Sequence, residues 1–172
     1  MTALRVIGDI GGIYARFAIE ERGKYGEIQH LSVSKYATLK DALGEYLDAL
    51  PRDMRPTRGA LAVAGPVSGD EVKLTNLNWS FSIAALKSDL SMSSLVVVND
   101  FAATAMSVPY LPEADCYLIG PPQSKTSVPV GVIGPGSWGW CTGAGRRQMD
   151  LAAWRRRPFH VAADHARRKS HP

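Results

Sequence analysis

The stretch VIGDIGGIYARFAI, residues 6–19, predicts a buried strand, a tight glycine turn and a second strand. Glycines that follow a buried strand let backbone N–H groups approach a phosphate, because no side chain stands in the way. Asp9, at the end of the first strand, carries the charge needed to face a Mg²⁺ ion that bridges phosphates. Taken alone, the stretch fits a plain hairpin better than a phosphate site.

The residues that follow this hairpin predict an α/β protein. A third strand at 27–36 would complete a meander that is antiparallel at least in part. Apolar residues then recur at helical spacing over 39–50, behind Thr38 as a helix cap. From residue 59 onward strands alternate with helices, which is typical of α/β folds. Further strands are predicted at 59–64, 71–74, 94–98, 116–119 and 129–133, and further helices at 82–90 and through residue 105.

Composition and charge narrow the class of protein. No apolar run reaches transmembrane length, and the N-terminus lacks a signal-peptide pattern. The two cysteines match no metal or redox spacing. We therefore expect a cytoplasmic chain without membrane contact. Residues 138–172 hold eight of the basic and two of the acidic residues, a charge of +6, which leaves −2 for residues 1–137. Residues 138–172 also lack the aliphatic residues of a core, so they predict a basic, disordered, non-native tail.

Two later motifs place polar groups at the ends of strands. Asn99 and Asp100 follow a buried strand and open a helix, which is where α/β folds place active groups. An Asp there can accept the proton of a hydroxyl nucleophile, and an Asn can hydrogen-bond sugar hydroxyls. A helix cap explains the same pair equally well. Gly134–Ser137 is a second glycine turn, which on its own is an ordinary loop.

Five motifs follow one another between residues 4 and 137. They are Gly8-Asp9-Ile10-Gly11-Gly12 with Ala15-Arg16-Phe17, Ala64-Gly65-Pro66-Val67 with Gly69-Asp70, Leu74-Thr75-Asn76-Leu77-Asn78-Trp79, Val97-Val98-Asn99-Asp100-Phe101, and Gly134-Pro135-Gly136-Ser137. In this order they resemble the bacterial glucokinase family, within the hexokinase and actin-like ATPase superfamily. The resemblance implies an actin-like ATPase (ribonuclease H-like) α/β fold, with a small domain over 1–110 and the beginning of a large domain over 111–137.

The resemblance also implies an activity. It implies transfer of the γ-phosphoryl group of ATP to the 6-hydroxyl of glucose with Mg²⁺, at the entry to glycolysis. Asp100 would be the general base, Asp9 would lie near Mg²⁺, and the sugar site would include Asn99, Asn76 and Thr75. The implied phosphate-binding residues are Gly8, Asp9, Ile10, Gly11, Gly12, Ile13, Gly134, Gly136 and Ser137.

The chain departs from the family pattern in two ways. The first turn continues with Ile13-Tyr14, where the family usually has Thr-Asn. Family members are longer and carry a sugar-binding Glu-x-x-His pair. In this chain Arg157 stands where the glutamate would be, three residues before His160. We therefore expect little or no kinase activity from this chain alone, because phosphoryl transfer needs both substrates in one closed cleft.

Two further expectations concern partners. The alternative to a kinase is a non-catalytic fragment that binds sugar or nucleic acid. Nucleic acid is the weaker choice because residues 1–137 carry no basic stripe. An unfinished large domain would expose an open sheet edge, which predicts self-association.

Overall fold

The computed structural model describes residues 4–117, 130–132, 140–145 and 148–150. The strands are β1 (Arg5–Ile10), β2 (Tyr14–Glu21), β3 (Lys24–Tyr25), β4 (Gln29–Ser32), β5 (Arg58–Val63), β6 (Glu71–Lys73), β7 (Ser80–Ser82), β8 (Ser94–Asn99), β9 (Val130–Val132), β10 (Trp140–Gly145) and β11 (Gln148–Asp150). The α-helices are α1 (Leu39–Asp48), α2 (Ile83–Asp89) and α3 (Asp100–Ser107), and 3₁₀ turns lie at Val33–Lys35, Arg52–Met54, Val108–Tyr110 and Glu113–Asp115.

The opening stretch forms the β1–β2 hairpin, which lies inside a six-stranded sheet of order β3-β2-β1-β5-β8, with β4 also paired to β2. β1 is antiparallel to β2 but parallel to β5, and β5 is parallel to β8. These registers place Ile10 beside Val63 and Val63 beside Asn99. The carboxyl ends of three parallel strands therefore meet at one edge, which is where open α/β sheets bind ligands.

One face of the sheet packs against α1 to form the core. The strands contribute buried apolar side chains such as Phe17 and Leu61, and α1 contributes Leu39, Leu43 and Leu47. The rings of Phe17 and Tyr46 lie with centroids 5.4 Å apart. Burial of this apolar stripe holds α1 on the sheet.

The predicted cap of α1 is confirmed as a capping box. The Thr38 Oγ1 atom accepts a hydrogen bond from the Asp41 backbone N–H at 3.2 Å, and the Asp41 carboxylate accepts from the Thr38 N–H at 3.0 Å. Ser82 caps α2 in a similar way, since its Oγ accepts from the Ala85 N–H at 3.0 Å.

Two segments of the antiparallel part differ from the sequence predictions. The strand expected at 27–36 shortens to β4, because the chain turns into the 3₁₀ segment Val33–Lys35. The expected polar turn around residues 20–26 instead contains β3, which pairs with β2. Arg22 and Gly23 both have positive φ, as a type I′ hairpin turn requires, so the chain reverses tightly enough for the strands to pair.

The later segments also differ from expectation. Cys116 and Tyr117 lie outside any strand, and the other residues of the strand predicted at 116–119 are outside the described part of the chain. Disorder was expected over 138–172, yet β10 and β11 lie there, with β10 antiparallel to both β9 and β11. β9 and β10 both lie against α3, so these strands gain packing from outside the segment, whose own aliphatic residues are few. None of the helices in the described ranges is long and apolar enough to cross a membrane.

Candidate functional site at the strand ends

The glycine turn after β1 presents open backbone donors. The Gly11 N–H donates to the Tyr14 carbonyl at 3.0 Å, which closes the turn. Within the described residues, the N–H groups of Gly12 and Ile13 have no hydrogen-bond partner. The Ile13 side chain is 69% exposed. Neighbouring N–H groups left open in a turn form an anion-binding concavity, so this turn suits a phosphate.

Asp9 lies beside the turn but is already paired. The β1–β2 register places it opposite Arg16, whose Nη1 donates to the Asp9 Oδ2 at 2.8 Å. Both side chains are partly exposed. No group of three or more His, Cys, Asp or Glu side chains suited to a metal occurs among the described residues. A cation at this position would therefore meet one protein carboxylate and would have to compete with a guanidinium for it.

Gly8 and Ile10 face the core rather than the open side of the turn. A Cβ atom on Gly8 would stand 2.7 Å from the Leu61 Cδ2 and 2.9 Å from the Phe17 Cδ1. The Ile10 side chain is fully buried. Both positions were expected to belong to the phosphate site, and the structure places them where they serve packing.

The β8–α3 junction carries the second part of the site. The Asn99 Oδ1 accepts a hydrogen bond from the Ala102 N–H at 3.1 Å, so Asn99 is the N-cap of α3. Its Nδ2 donates to the Gly65 carbonyl at 3.0 Å and to the Asp100 Oδ1 at 2.9 Å. The same Asp100 oxygen accepts from the Phe101 N–H at 2.9 Å. The capping interpretation of this pair is thus correct, and it leaves one oxygen of Asp100 for other chemistry.

The loop between β6 and β7 joins these two parts. The Thr75 N–H donates to the Ala64 carbonyl at 3.1 Å, next to Gly65. On its other side the loop reaches the glycine turn, since a Cβ on Gly12 would lie 3.3 Å from the Asn76 Cβ. Thr75 and Asn76 are exposed. The structure therefore brings the predicted sugar residues and the first phosphate turn to one edge of the sheet.

Some residues of the expected site cannot be placed, and others were not foreseen. Gly134, Gly136 and Ser137 lie outside the described residues. Sequence reasoning did not assign a site role to the Gly65 carbonyl or to Arg16. The Gly-Pro stop after a buried strand was the available signal for Gly65, and the alternation of β2 was the signal for Arg16.

A surface cleft of about 590 Å³ lies away from the strand ends, between α1 and the end of α2. Its two cations are paired, since Lys40 contacts Asp89 at 2.8 Å and Arg55 contacts Asp48 at 2.7 Å. The other two carboxylates of the lining, Asp41 and Glu45, accept hydrogen bonds from Thr38 and the Tyr36 hydroxyl. Charges that are already paired give no indication of a ligand, so the strand-end edge remains the candidate site.

Comparison with solved structures defines the class. The chain superposes on the crystal structure of a glucokinase from an Antarctic psychrotroph with a TM-score of 0.76 and 31% identity, covering 89% of this chain and 50% of that one. A glucokinase from Balamuthia mandrillaris, crystallised in complex with glucose, shares the fold at a TM-score of 0.53 and 20% identity, over 66% of this chain and 34% of that one. The chain is thus an α/β protein with the fold of solved glucokinases.

Sequence comparison gives the family. The glucokinase family model matches residues 6–162, which include part of the segment expected to be a non-native tail. The chain is 90% identical to a glucokinase of Nitrobacter hamburgensis over 137 residues, 80% of this chain and 43% of that protein. It is 38% identical to a glucokinase of Cupriavidus metallidurans over 138 residues, 80% of this chain and 41% of that protein. The chain belongs to the glucokinase family, and it spans less than half the length of these relatives.

Proposed function

We propose that this chain provides the small-domain part of a cytoplasmic glucokinase, which transfers the γ-phosphoryl group of ATP to the 6-hydroxyl of glucose at the entry to glycolysis. The proposal includes the actin-like ATPase (ribonuclease H-like) fold. The observation that carries it is the meeting of an open-donor glycine turn and a fixed carboxylate at one sheet edge. Phosphoryl transfer to an alcohol needs this combination of phosphate binding and a proton acceptor.

The first turn fits the phosphates of ATP. The open N–H groups of Gly12 and Ile13 would hold a phosphate oxygen, and the lost Thr hydroxyl of the family pattern is not needed for those backbone bonds. Gly134, Gly136 and Ser137 are proposed as the second phosphate turn. Mg²⁺ would offset the phosphate charge. Asp9 fits it with the oxygen that Arg16 does not occupy, so most of the ion's ligands would come from phosphate and water.

Asp100 is the proposed general base toward the sugar hydroxyl. Its Oδ1 already accepts two hydrogen bonds, and its Oδ2 accepts none from the described residues. Oδ2 is thus the oxygen available for the hydroxyl proton. Thr75 and Asn76 are exposed on the loop between the glycine turn and Ala64, and they are proposed to contact glucose together with Asn99.

The decisive experiment is a chimera that joins the matched part of this chain to the remaining residues of the Nitrobacter hamburgensis glucokinase. At 90% identity over the matched part, we expect ATP-dependent glucose phosphorylation in a coupled assay. Asp100→Ala should lower kcat about 10²–10⁴-fold, the usual contribution of general acid–base catalysis. Asp53→Ala, an exposed Asp in the 3₁₀ turn Arg52–Met54, is the matched control and should leave kcat unchanged. A folded but inactive chimera, or equal activity of both variants, would contradict the proposal.

The chain alone should behave differently. Without the remaining part of the protein we expect little or no turnover, because the substrates are not enclosed. Turnover by the purified chain that disappears in Asp100→Ala would disprove this expectation and support the proposed role of Asp100.

We propose that isolated copies of the chain associate with each other. Among the described strands β8 pairs only with β5, so its other edge is open, and Val96 on it is 53% exposed. Sedimentation velocity should detect a concentration-dependent dimer that Val96→Lys weakens. A strictly monomeric chain across the concentration range would exclude this.

A further inference from the structure

We propose that the Gly65 turn is a positioning element for the Asp100 carboxylate and that it acts through the Asn99 amide. The inference rests on the proposed function for its catalytic meaning, although its geometry can be tested without turnover. It gives Gly65 and Asn99 roles that neither a phosphate turn nor a sugar contact describes.

The orientation of the Asn99 amide is determined by its partners. The Ala102 N–H can only donate and the Gly65 carbonyl can only accept, so the amide oxygen must face Ala102 and the amide nitrogen must face Gly65. The second Nδ2 hydrogen goes to the Asp100 Oδ1 at 2.9 Å. Both hydrogens of the amide are therefore used inside the protein, and one side chain connects a turn, a helix and a carboxylate.

This connection fixes the orientation of the Asp100 carboxylate. Asn99 Nδ2 and the Phe101 N–H both donate to Oδ1, which holds the carboxylate plane from one side. Oδ2 accepts nothing from the described residues and remains open. A base held in one orientation avoids the loss of rate that follows when reacting groups are misplaced by about 1 Å.

The Gly65 turn holds its position because it is packed tightly against the backbone of a neighbouring segment. A Cβ on Gly65 would stand 2.7 Å from the Lys73 carbonyl oxygen and 3.2 Å from the Leu74 Cα, both backbone atoms of β6 and its end. The neighbouring Ala64 donates its N–H to the Ile10 carbonyl at 3.0 Å and accepts from the Thr75 N–H. A methyl group at Gly65 must therefore move the turn, and the Asn99 amide that is bonded to its carbonyl moves with it.

The experiment follows the Asp100 carboxyl carbon by ¹³C NMR in the full chain. Asn99→Ser keeps an N-cap but removes both Nδ2 bonds, and it should shift the Asp100 signal. Gly65→Ala should shift the same signal, and the double variant should shift it no further than the larger single change. Gly44→Ala is the matched control, because a Cβ there meets only Leu90 at 3.9 Å, and it should leave the signal in place. An unmoved Asp100 signal in folded Gly65→Ala, or additive shifts, would overturn the proposal.

A second measurement covers the case in which Gly65→Ala does not fold. In the unmodified chain the two Nδ2 hydrogens of Asn99 should give separate resonances that exchange slowly with water, since both are bonded. Rapidly exchanging resonances would overturn the proposal, and slow exchange would support it.

The kinetic meaning is tested in the chimera. Asn99→Ser should lower kcat on the order of 10²-fold, because a misplaced base affects the chemical step, and a rise in the glucose KM beside it would report the proposed sugar contact. A raised KM with unchanged kcat would show that Asn99 contacts the sugar without positioning the base, and would overturn the proposal. A chimera without activity would count against the proposed function while the NMR result still decided the geometry.

Discussion

The turn after β1 and the junction after β8 lie at the same sheet edge and are built in opposite ways. The turn leaves the N–H groups of Gly12 and Ile13 without a protein partner, and its side chains are exposed. At the junction, the Asn99 amide and one Asp100 oxygen bond to the backbone of Gly65, Phe101 and Ala102. The turn keeps its polar groups open, whereas the junction uses all of them internally except the Asp100 Oδ2.

This difference predicts that changes in the turn affect ligand binding, whereas changes at the junction affect the stability of the fold. Open donors at a surface are satisfied by water until an anion arrives, so a change in the turn should affect ligand binding more than folding. Groups at the junction are bonded in the folded chain, so their loss should lower the free energy of unfolding. The variants below test whether the two regions divide in this way.

The largest effect is expected within the glycine stretch itself. Gly8→Ala places a methyl group against the buried Leu61 and Phe17, at 2.7 and 2.9 Å, and should destabilise the chain by about 1–3 kcal/mol. Gly12→Ala meets only the exposed Asn76, at 3.3 Å, and should change stability by less than about 0.5 kcal/mol. Urea unfolding followed by circular dichroism measures both.

The same pair should behave differently toward nucleotide. In the chimera, Gly12→Ala should raise the KM for ATP, because the methyl group adds bulk at the proposed phosphate turn. If Gly12→Ala destabilised the chain as much as Gly8→Ala, the turn would be a packing element and the contrast with the junction would fail.

The sequence predicts the fold well where periodicity and caps agree. The hairpin, α1 with Thr38, α2 with Ser82 and the buried strands at 59–64 and 94–98 are all present with small shifts of their ends. The sequence predicts the fold less well where an unusual backbone conformation determines the structure. The hairpin that forms β3 depends on positive φ at Arg22, which the residue type does not favour.

For the site, residue types predict which chemical groups are present but not which of their atoms are already hydrogen-bonded. Asp9 and Asp100 were expected as carboxylates at strand ends, and they are there. Which of their oxygens is occupied depends on Arg16 and Asn99, whose positions follow from strand register and helix start. The role of Gly65 depends on its distance to β6, a contact between segments that local patterns do not encode.

A smaller effect is expected at the junction. Asn99→Ala removes the cap of α3 and the bond to Gly65, and should cost about 0.5–2 kcal/mol of unfolding free energy. Asn99→Ser keeps a capping oxygen and should cost less. Thr38→Ala, which removes the cap of α1 away from the site, is the matched control and should cost a similar amount to Asn99→Ala. An Asn99→Ala chain as stable as the parent would mean that the junction is not held by this amide.

The smallest effect is a pH dependence at Glu20, a carboxylate that is also hydrogen-bonded within the chain but lies away from the strand-end edge. The Arg5 guanidinium, which donates to its Oε2 at 2.5 Å, and the Gly23 N–H both lower the pKa of Glu20 below its usual 4.5. A carboxyl group whose folded pKa is depressed stabilises the folded chain above its unfolded pKa. That contribution is lost as the pH falls through the folded value. Unfolding free energy should therefore decrease on acidification below about pH 4.5.

Two variants attribute this acid-induced loss to the pair. Glu20→Gln removes the titrating group, and Arg5→Met removes the first cause of the lowered pKa, so urea titrations of both should show a weaker pH dependence than the parent chain. At neutral pH both should be less stable than the parent, because each loses the ion pair. If Glu20→Gln kept the full acid dependence, other carboxylates would be responsible for it. Hydrogen bonding within the chain would then not be enough to identify the carboxylate that makes the unfolding free energy depend on pH.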